Sequence, residues 1–197
     1  MALCLLALTG IAAFLATSHP AATTRTAAAT RTLASRQNAS ELTVLPQAAV
    51  QVDTTPIRLI IPRIAVDAVI EARGLNAQKN LDTPMDAQEV AWYNQGPRPG
   101  VPGNAIINGH VNWWTGGAVF GRLAELRRGD EVTVVSKDGS RATFKVGTLR
   151  TLAAAARDAS LFAPSKTATL TLITCAGPWD FRLGSDTDRL LVTAALV

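Results

Sequence analysis

A small closed β-barrel of eight strands with one or two short helices is the fold the sequence predicts, in an all-β-dominated domain, and three observations carry the prediction. From Ile57 onward the chain is a series of short apolar runs broken by Gly, Pro, Asn and Asp, the punctuation of a β-rich domain. One run alternates, with Ile64, Val66, Ala68 and Ile70 set against Ala65, Asp67, Val69 and Glu71, which is the period of a strand with one buried face. An Asp138-Gly139 pair stands between EVTVVS and SRATFKV, a strong hairpin signal because both residue types tolerate positive φ. About eight such runs suit a closed barrel better than a doubly wound sheet, in which helices would alternate with strands.

In chain order, IRLII and IAVDAVIEA read as paired strands joined by a jog at Pro62-Arg63. VAWY (Val90 to Tyr93) and NAIINGH (Asn104 to His110) are the next two, separated by the loop QGPRPGVPG. In AVFGRLAELRRG, Phe120, Leu123 and Leu126 recur at helical spacing with Gly129 as a stop, so one short helix is expected there. LAAAARDASLF (Leu152 to Phe162) reads as a short helical or irregular crossover ended by Pro164. TATLTLIT (Thr167 to Thr174) and RLLVTAAL (Arg189 to Leu196) are two strong strands, with CAGPWDFRLGSDTD between them as a connection.

Composition bounds the function. The chain has 197 residues, 48% of them apolar and 17% charged, enough for one packed domain and not for two large ones. The net charge of +4 is spread without a block of like charges, so no nucleic-acid or lipid patch is expected. With only two cysteines, Cys4 and Cys175, and two histidines, His19 and His110, spread along the chain, a structural zinc site with four Cys/His ligands close together is excluded, and so is a disulfide framework. Residues 1–17 carry no charge, and the stretch from Ala2 to Ala16, apolar apart from Thr9, falls short of the roughly 20 residues that span a bilayer comfortably. They are expected to be a signal-anchor segment or, alternatively, a cleaved signal peptide. No Lys or Arg precedes Leu5, which leaves the position of the true start open. Residues 18–56 are Ala/Thr-rich with no aromatics and no apolar period. They read as a disordered tether in which His19 is inert. The folded domain is residues 57–197.

Cys175 is the sole cysteine of that domain and has no intramolecular partner in an exported compartment, where thiols usually pair. Along its strand Leu170, Leu172 and Thr174 share one face, while Thr169, Thr171, Ile173 and Cys175 share the other, more polar face, which should point away from the barrel core. The residues after it, Ala-Gly-Pro, place it at a strand end, a usual site for a nucleophile. His110 is the domain's sole histidine and closes its own strand. A lone Cys and a lone His, each at a strand end, are most economically read as a thiolate and imidazolium pair: a stabilised nucleophile beside an acid able to protonate a leaving amine. A buried cysteine with no chemistry and a satisfied surface histidine are the bland alternative.

NAIINGHV, then AVFGRLAELRRGDEVTV, then TLITC, then an arginine on the next strand in DRLLVTA, resemble the sortase family of cell-wall transpeptidases, and RLIIPRIAVDAVI resembles that family's first strands. GHV together with CAGPWD is closest to class F, with class E as neighbour, and the likeness covers residues 57–197. The resemblance implies that Cys175 attacks an LPxTG-like sorting signal between its Thr and Gly, forming a thioacyl-enzyme that a cell-wall amine, usually of peptidoglycan, then resolves. It implies His110 as general acid and then base, and Arg189 as donor to the peptide carbonyl and oxyanion, with Arg182 in the preceding loop as the competing donor. Thr174 matches the Thr of the motif and is expected to help fix the site next to substrate. Trp113, like Trp114 and Trp179, is expected as an apolar wall for the signal's Leu or Pro. No metal and no cofactor is implied, and the calcium site of some class A members has no counterpart in the scattered carboxylates.

Two rival readings stand beside this one. A wall-associated, non-catalytic barrel binding peptide or glycan would bury Cys175 from thiol reagents. An L,D-transpeptidase would follow its cysteine closely with Arg, whereas here Ala, Gly and Pro follow. Housekeeping attachment is favoured over pilus polymerisation, because no lid segment with an Asp-Pro-Trp-like motif precedes the barrel. The reading places the domain outside the cell, held to the membrane by the N-terminal segment, or secreted if that segment is cleaved.

Overall fold

The computed structural model describes residues 52–182 and 184–197. The N-terminal apolar segment and nearly all of the tether lie outside the described residues, among which no helix is long and apolar enough to cross a membrane.

Strand β1 (Pro56–Ile61) is followed by a 3-10 turn at Pro62–Ile64, where the proline at the first helical position and the left-handed Ala65 turn the chain. Strand β2 (Val66–Arg73) then pairs back on β1 antiparallel. Its alternation is as expected: Val66, Ala68 and Ile70 face the core, Asp67 and Val69 the solvent. The remaining strands are β3 (Val90–Tyr93), β4 (Gly103–Gly109), the two-residue pair β5 (Asn112–Trp113) and β6 (Gly116–Gly117), β7 (Glu131–Ser136), β8 (Arg141–Ala153), β9 (Ala168–Asp180) and β10 (Ser185–Leu196). Eight of them close into a barrel in the order β1-β2-β3-β4-β9-β10-β8-β7. The interior is filled by apolar side chains, among them the fully buried Leu59, Phe120, Phe144, Leu170 and Leu172.

The β7–β8 hairpin turns at Lys137, Asp138 and Gly139 as expected, but only Gly139 takes positive φ, at 83°. A three-residue loop closed from the Ser136 amide to the Ser140 carbonyl needs one left-handed position rather than two. The helix expected around Phe120 is a single 3-10 turn, Leu123–Glu125. Phe120, Leu123 and Leu126 are all buried in the core, and their strict three-residue spacing suits a 3-10 turn as well as an α-helix.

The largest departure concerns the end of the chain. Residues 175–180 and 185–188, expected as a connection, are strand: β9 and β10 pair as one long antiparallel hairpin from Ala195↔Thr169 to Ser185↔Asp180. Cys175 therefore lies within β9, not at its end. The exposed Gly177 and Pro178 are tolerated because β4 has ended at Gly109 and leaves that stretch with one strand neighbour, an edge on which a missing ladder donor costs little.

Two connections position the site. Strands β2 and β3 are parallel neighbours, so no tight turn can join them, and residues 74–89 must return outside the barrel. Strands β8 and β9 both run antiparallel to β10, and residues 154–167 likewise travel back the length of the wall. Both returns pass over the outer face of β4, β9 and β10. There Ile106, Ile173 and Leu191 form a second, smaller apolar cluster, against which Leu81 of the first return and Leu161 of the second pack.

Candidate active site

The outward face of β9 carries Ile173 and then Cys175, while Leu170 and Leu172 face the barrel interior, the face assignment expected from the alternation. Beside β9 on one side, β4 runs parallel with Asn108 opposite Ile173. Two residues on from that pair, His110, just past the end of β4, and Cys175 within β9 line the same groove. On the other side Arg189 of β10 is the register partner of Cys175. Three adjacent strands thus bring the three side chains to one groove of about 760 Å³, which all three line. Its floor is the apolar cluster of Ile173 and Leu191, and its walls are the two returning segments, joined across it by a hydrogen bond from Arg157 Nη1 to Asn80 Oδ1 of 2.9 Å.

His110 is held from three sides. Its main-chain carbonyl accepts from the Phe120 amide at 2.9 Å. Gly109 before it packs so closely on the core that a Cβ there would meet Val119 at 2.8 Å and Phe120 at 2.9 Å, a steric reason for glycine in the Gly-His pair. Its ring lies edge-on to Trp113, with centroids 4.6 Å apart. Nε2 is 3.1 Å from the Pro84 carbonyl of the first returning segment. A carbonyl can only accept, so this contact requires the proton on Nε2 and leaves Nδ1 as the nitrogen free to exchange a proton in the groove.

Thr174 is buried, and its hydroxyl donates to the Gly109 carbonyl at 2.9 Å. The residue before the thiol is thereby bonded to the residue before the imidazole, which ties β9 to the end of β4 at the site. The Arg189 guanidinium donates from Nη1 to the main-chain carbonyls of Asp186 and Asp188, at 3.0 and 2.7 Å, and from Nη2 to the Ser185 hydroxyl at 2.9 Å. Of its five N–H groups, Nε–H and one on Nη2 remain for a ligand. Arg182 is exposed in the turn between β9 and β10 and does not line the groove. Trp114 and Trp179 are exposed, at 87% and 53%, and neither they nor Trp113 line the groove.

Burial pushes the Cys175 thiol above its ordinary value; the Arg189 charge partly offsets this and the nearby Asp186 carboxylate adds to it. The thiol therefore rests protonated at neutral pH. The site also contains groups that sequence reading missed. The Pro84 carbonyl is main chain and leaves no signature in residue type, and the effect of Asp186 on the thiol needs the hairpin pairing that places it near Cys175.

Similarity to known proteins agrees with this geometry. A family model of the sortase domain matches residues 59–197. No curated protein sequence matches significantly. Sortase C-1 from Actinomyces oris is 26% identical with a TM-score of 0.57, over 72% of this chain and 74% of that one. Sortase A from Corynebacterium diphtheriae is 21% identical with a TM-score of 0.56, over 74% of this chain and 61% of that one. Sortase A from Listeria monocytogenes is 20% identical with a TM-score of 0.55, over 74% of this chain and 88% of that one. At those identities the last two speak for the fold, and this chain spans less than two thirds of the Corynebacterium protein's length. The family model covers nearly all of the barrel, and by that match the chain belongs to the sortase family, whose members are cysteine transpeptidases.

Proposed function

We propose that this domain cleaves an LPxTG-like sorting signal between Thr and Gly and joins the new carboxyl end to a cell-wall amine. The observation that carries the reading is the convergence of Cys175, His110 and Arg189, from three neighbouring strands, on one groove with an apolar floor. The Cys175 thiolate adds to the Thr carbonyl carbon, and the resulting oxyanion is met by the two Arg189 N–H groups not held by the protein. The His110 imidazolium passes its proton to the departing Gly nitrogen, the C–N bond breaks, and a thioester to Cys175 remains. An incoming amine then gives its proton to the neutral His110 and attacks the thioester, and the thiolate leaves. Trp113 and Thr174 serve this chemistry by holding the imidazole and the Gly109 carbonyl.

The active pair, thiolate with imidazolium, holds one proton between two groups, so it is a tautomer of the singly protonated site. Because the thiol is raised, that tautomer is the minor one at neutral pH. The motifs GHV and CAGPWD support placement in class F with class E as neighbour. The apolar stretch of residues 2–16 supports an N-terminal anchor, and residues 18–56 a tether, that together present the domain to the wall from the outer membrane face.

Cleavage of a sorting-peptide library by residues 52–197, with and without added amines, tests the reading. Wild type should cleave and, with an amine, transfer. Cys175→Ala and His110→Ala should abolish turnover, Arg189→Ala should lower it on the order of a hundredfold, and Arg182→Ala should leave it unchanged. Cleavage by Cys175→Ala would overturn the reading, and equal loss in Arg182→Ala would move the oxyanion role to that residue.

A further inference from the structure

The imidazole is oriented by a main-chain carbonyl on a long return segment, and such a carbonyl is only as well placed as the segment that carries it. Glu71, near the end of β2, supplies the missing constraint. Its Oε1 accepts from the Met85 amide at 2.8 Å, so the carboxylate grips the residue that follows Pro84, whose carbonyl meets His110 Nε2 at 3.1 Å. Oε2 accepts from Arg73 Nε at 2.6 Å, and Arg73 also faces Asp82 of the same segment at 3.7 Å. Asn108 Nδ2 adds a bond to the Asp82 carbonyl at 3.0 Å. Pro84 itself is buried. The path from Glu71 to the imidazole is therefore two hydrogen bonds and one peptide unit long, and β2 anchors it rigidly.

Resting on the reading of His110 as the acid and base, we propose that Glu71 is a positioning residue for the reaction: by fixing the Met85 amide it holds the Pro84 carbonyl against Nε2, so that His110 keeps its Nε2–H form and points Nδ1 into the groove. Burial raises the Glu71 carboxyl, but the Met85 amide and the Arg73 guanidinium outweigh it and keep the group below the ordinary glutamate value. It is thus ionised at neutral pH, and the bond to Met85 is charge-assisted, roughly twice as strong as a neutral one. The Glu89 carboxyl beside it is pushed above the ordinary glutamate value by its hydrogen bond to Glu71, by burial and by the Glu71 charge.

The test separates orientation from stability and from activity. With only His19 and His110 in the chain, ring 15N spectra of the full protein assign His110 after His19→Asn. Wild type should show a dominant Nε2–H tautomer at pH where the ring is neutral. Glu71→Ala should mix the tautomers and lower kcat about tenfold at unchanged KM, while Glu71→Gln, which still offers an oxygen to Met85, should keep the wild-type ring signature and kcat within about threefold. A melting curve on each variant separates unfolding from misorientation. A wild-type tautomer and kcat in folded Glu71→Ala would overturn the proposal, as would Glu71→Gln losing as much as Glu71→Ala, which would trace the effect to the charge on Arg73 instead. The ring spectra need no substrate, so a wrong sorting signal would leave them intact.

Discussion

At Cys175 three influences compete, and their signs can be tested one at a time. Burial disfavours the thiolate, Asp186 repels it and Arg189 attracts it. The rate of alkylation by iodoacetamide against pH reports the thiolate directly. The wild-type midpoint should lie above the ordinary thiol range. Asp186→Asn should move it down and Arg189→Met should move it further up, because the first removes a repelling charge and the second an attracting one. Since each unit of separation between thiol and imidazole costs the active tautomer about tenfold, Asp186→Asn should also raise the fraction of active pair at neutral pH and bring the alkaline limb of turnover to lower pH. A midpoint that ignores both substitutions would contradict this account of the thiol.

The long β9–β10 hairpin is what keeps Cys175 and Arg189 in register, and its weakest joint is Gly177. That residue has φ of 78°, in the left-handed region, and a Cβ there would overlap the Thr187 hydroxyl and the Asp188 carboxylate. Gly177→Ala should cost about 1–2 kcal/mol from the backbone alone. By pushing Thr187 and Asp188 aside it should lower turnover more than that loss of stability explains, because Asp188 is the residue next to Arg189 and lends its carbonyl to the guanidinium. Calorimetry beside a cleavage assay checks both, and full activity at a lowered Tm would remove the hairpin from the account. This joint also shows where the sequence was hard to read. Gly177 and Pro178 are loop residues by every local rule, and only the end of β4 at Gly109 turns them into a tolerated edge. The Asp138-Gly139 turn, the alternation along β2 and the two faces of β9 were legible, since each depends on neighbours in sequence alone. The three-residue apolar spacing around Phe120 predicts a helix without distinguishing one 3-10 turn from a short α-helix, and the 3-10 turn is what forms.

Over the whole molecule, the placement of the groove follows from chain topology. Two connections between strands that run in the same direction, β2 to β3 and β8 to β9, return over the same outer face, and those returns wall off the stretch of β9, β10 and the end of β4 that carries the reactive groups. The identities of Cys175 and His110 were visible as the domain's one thiol and one imidazole, and Arg189 as the cation on the following strand. The supporting set was not visible. The Pro84 carbonyl, the Glu71 grip on Met85 and the main-chain acceptors around Arg189 depend on where loops come to rest, which no residue type announces. Thr174 lay between these cases: its position before the thiol marked it, while its bond to Gly109 needed the parallel pairing of β4 and β9.

Intact-mass analysis of the folded domain mixed with a sorting peptide and no amine tests the central claim most directly, because it looks for the covalent intermediate that three converging side chains are assembled to make. A thioacyl adduct carrying the peptide up to its Thr, located on Cys175 by fragmentation, missing in His110→Ala and discharged by added amine, is the predicted result. Turnover of that peptide with the adduct absent from Cys175, or an adduct that forms equally well in His110→Ala, would contradict it.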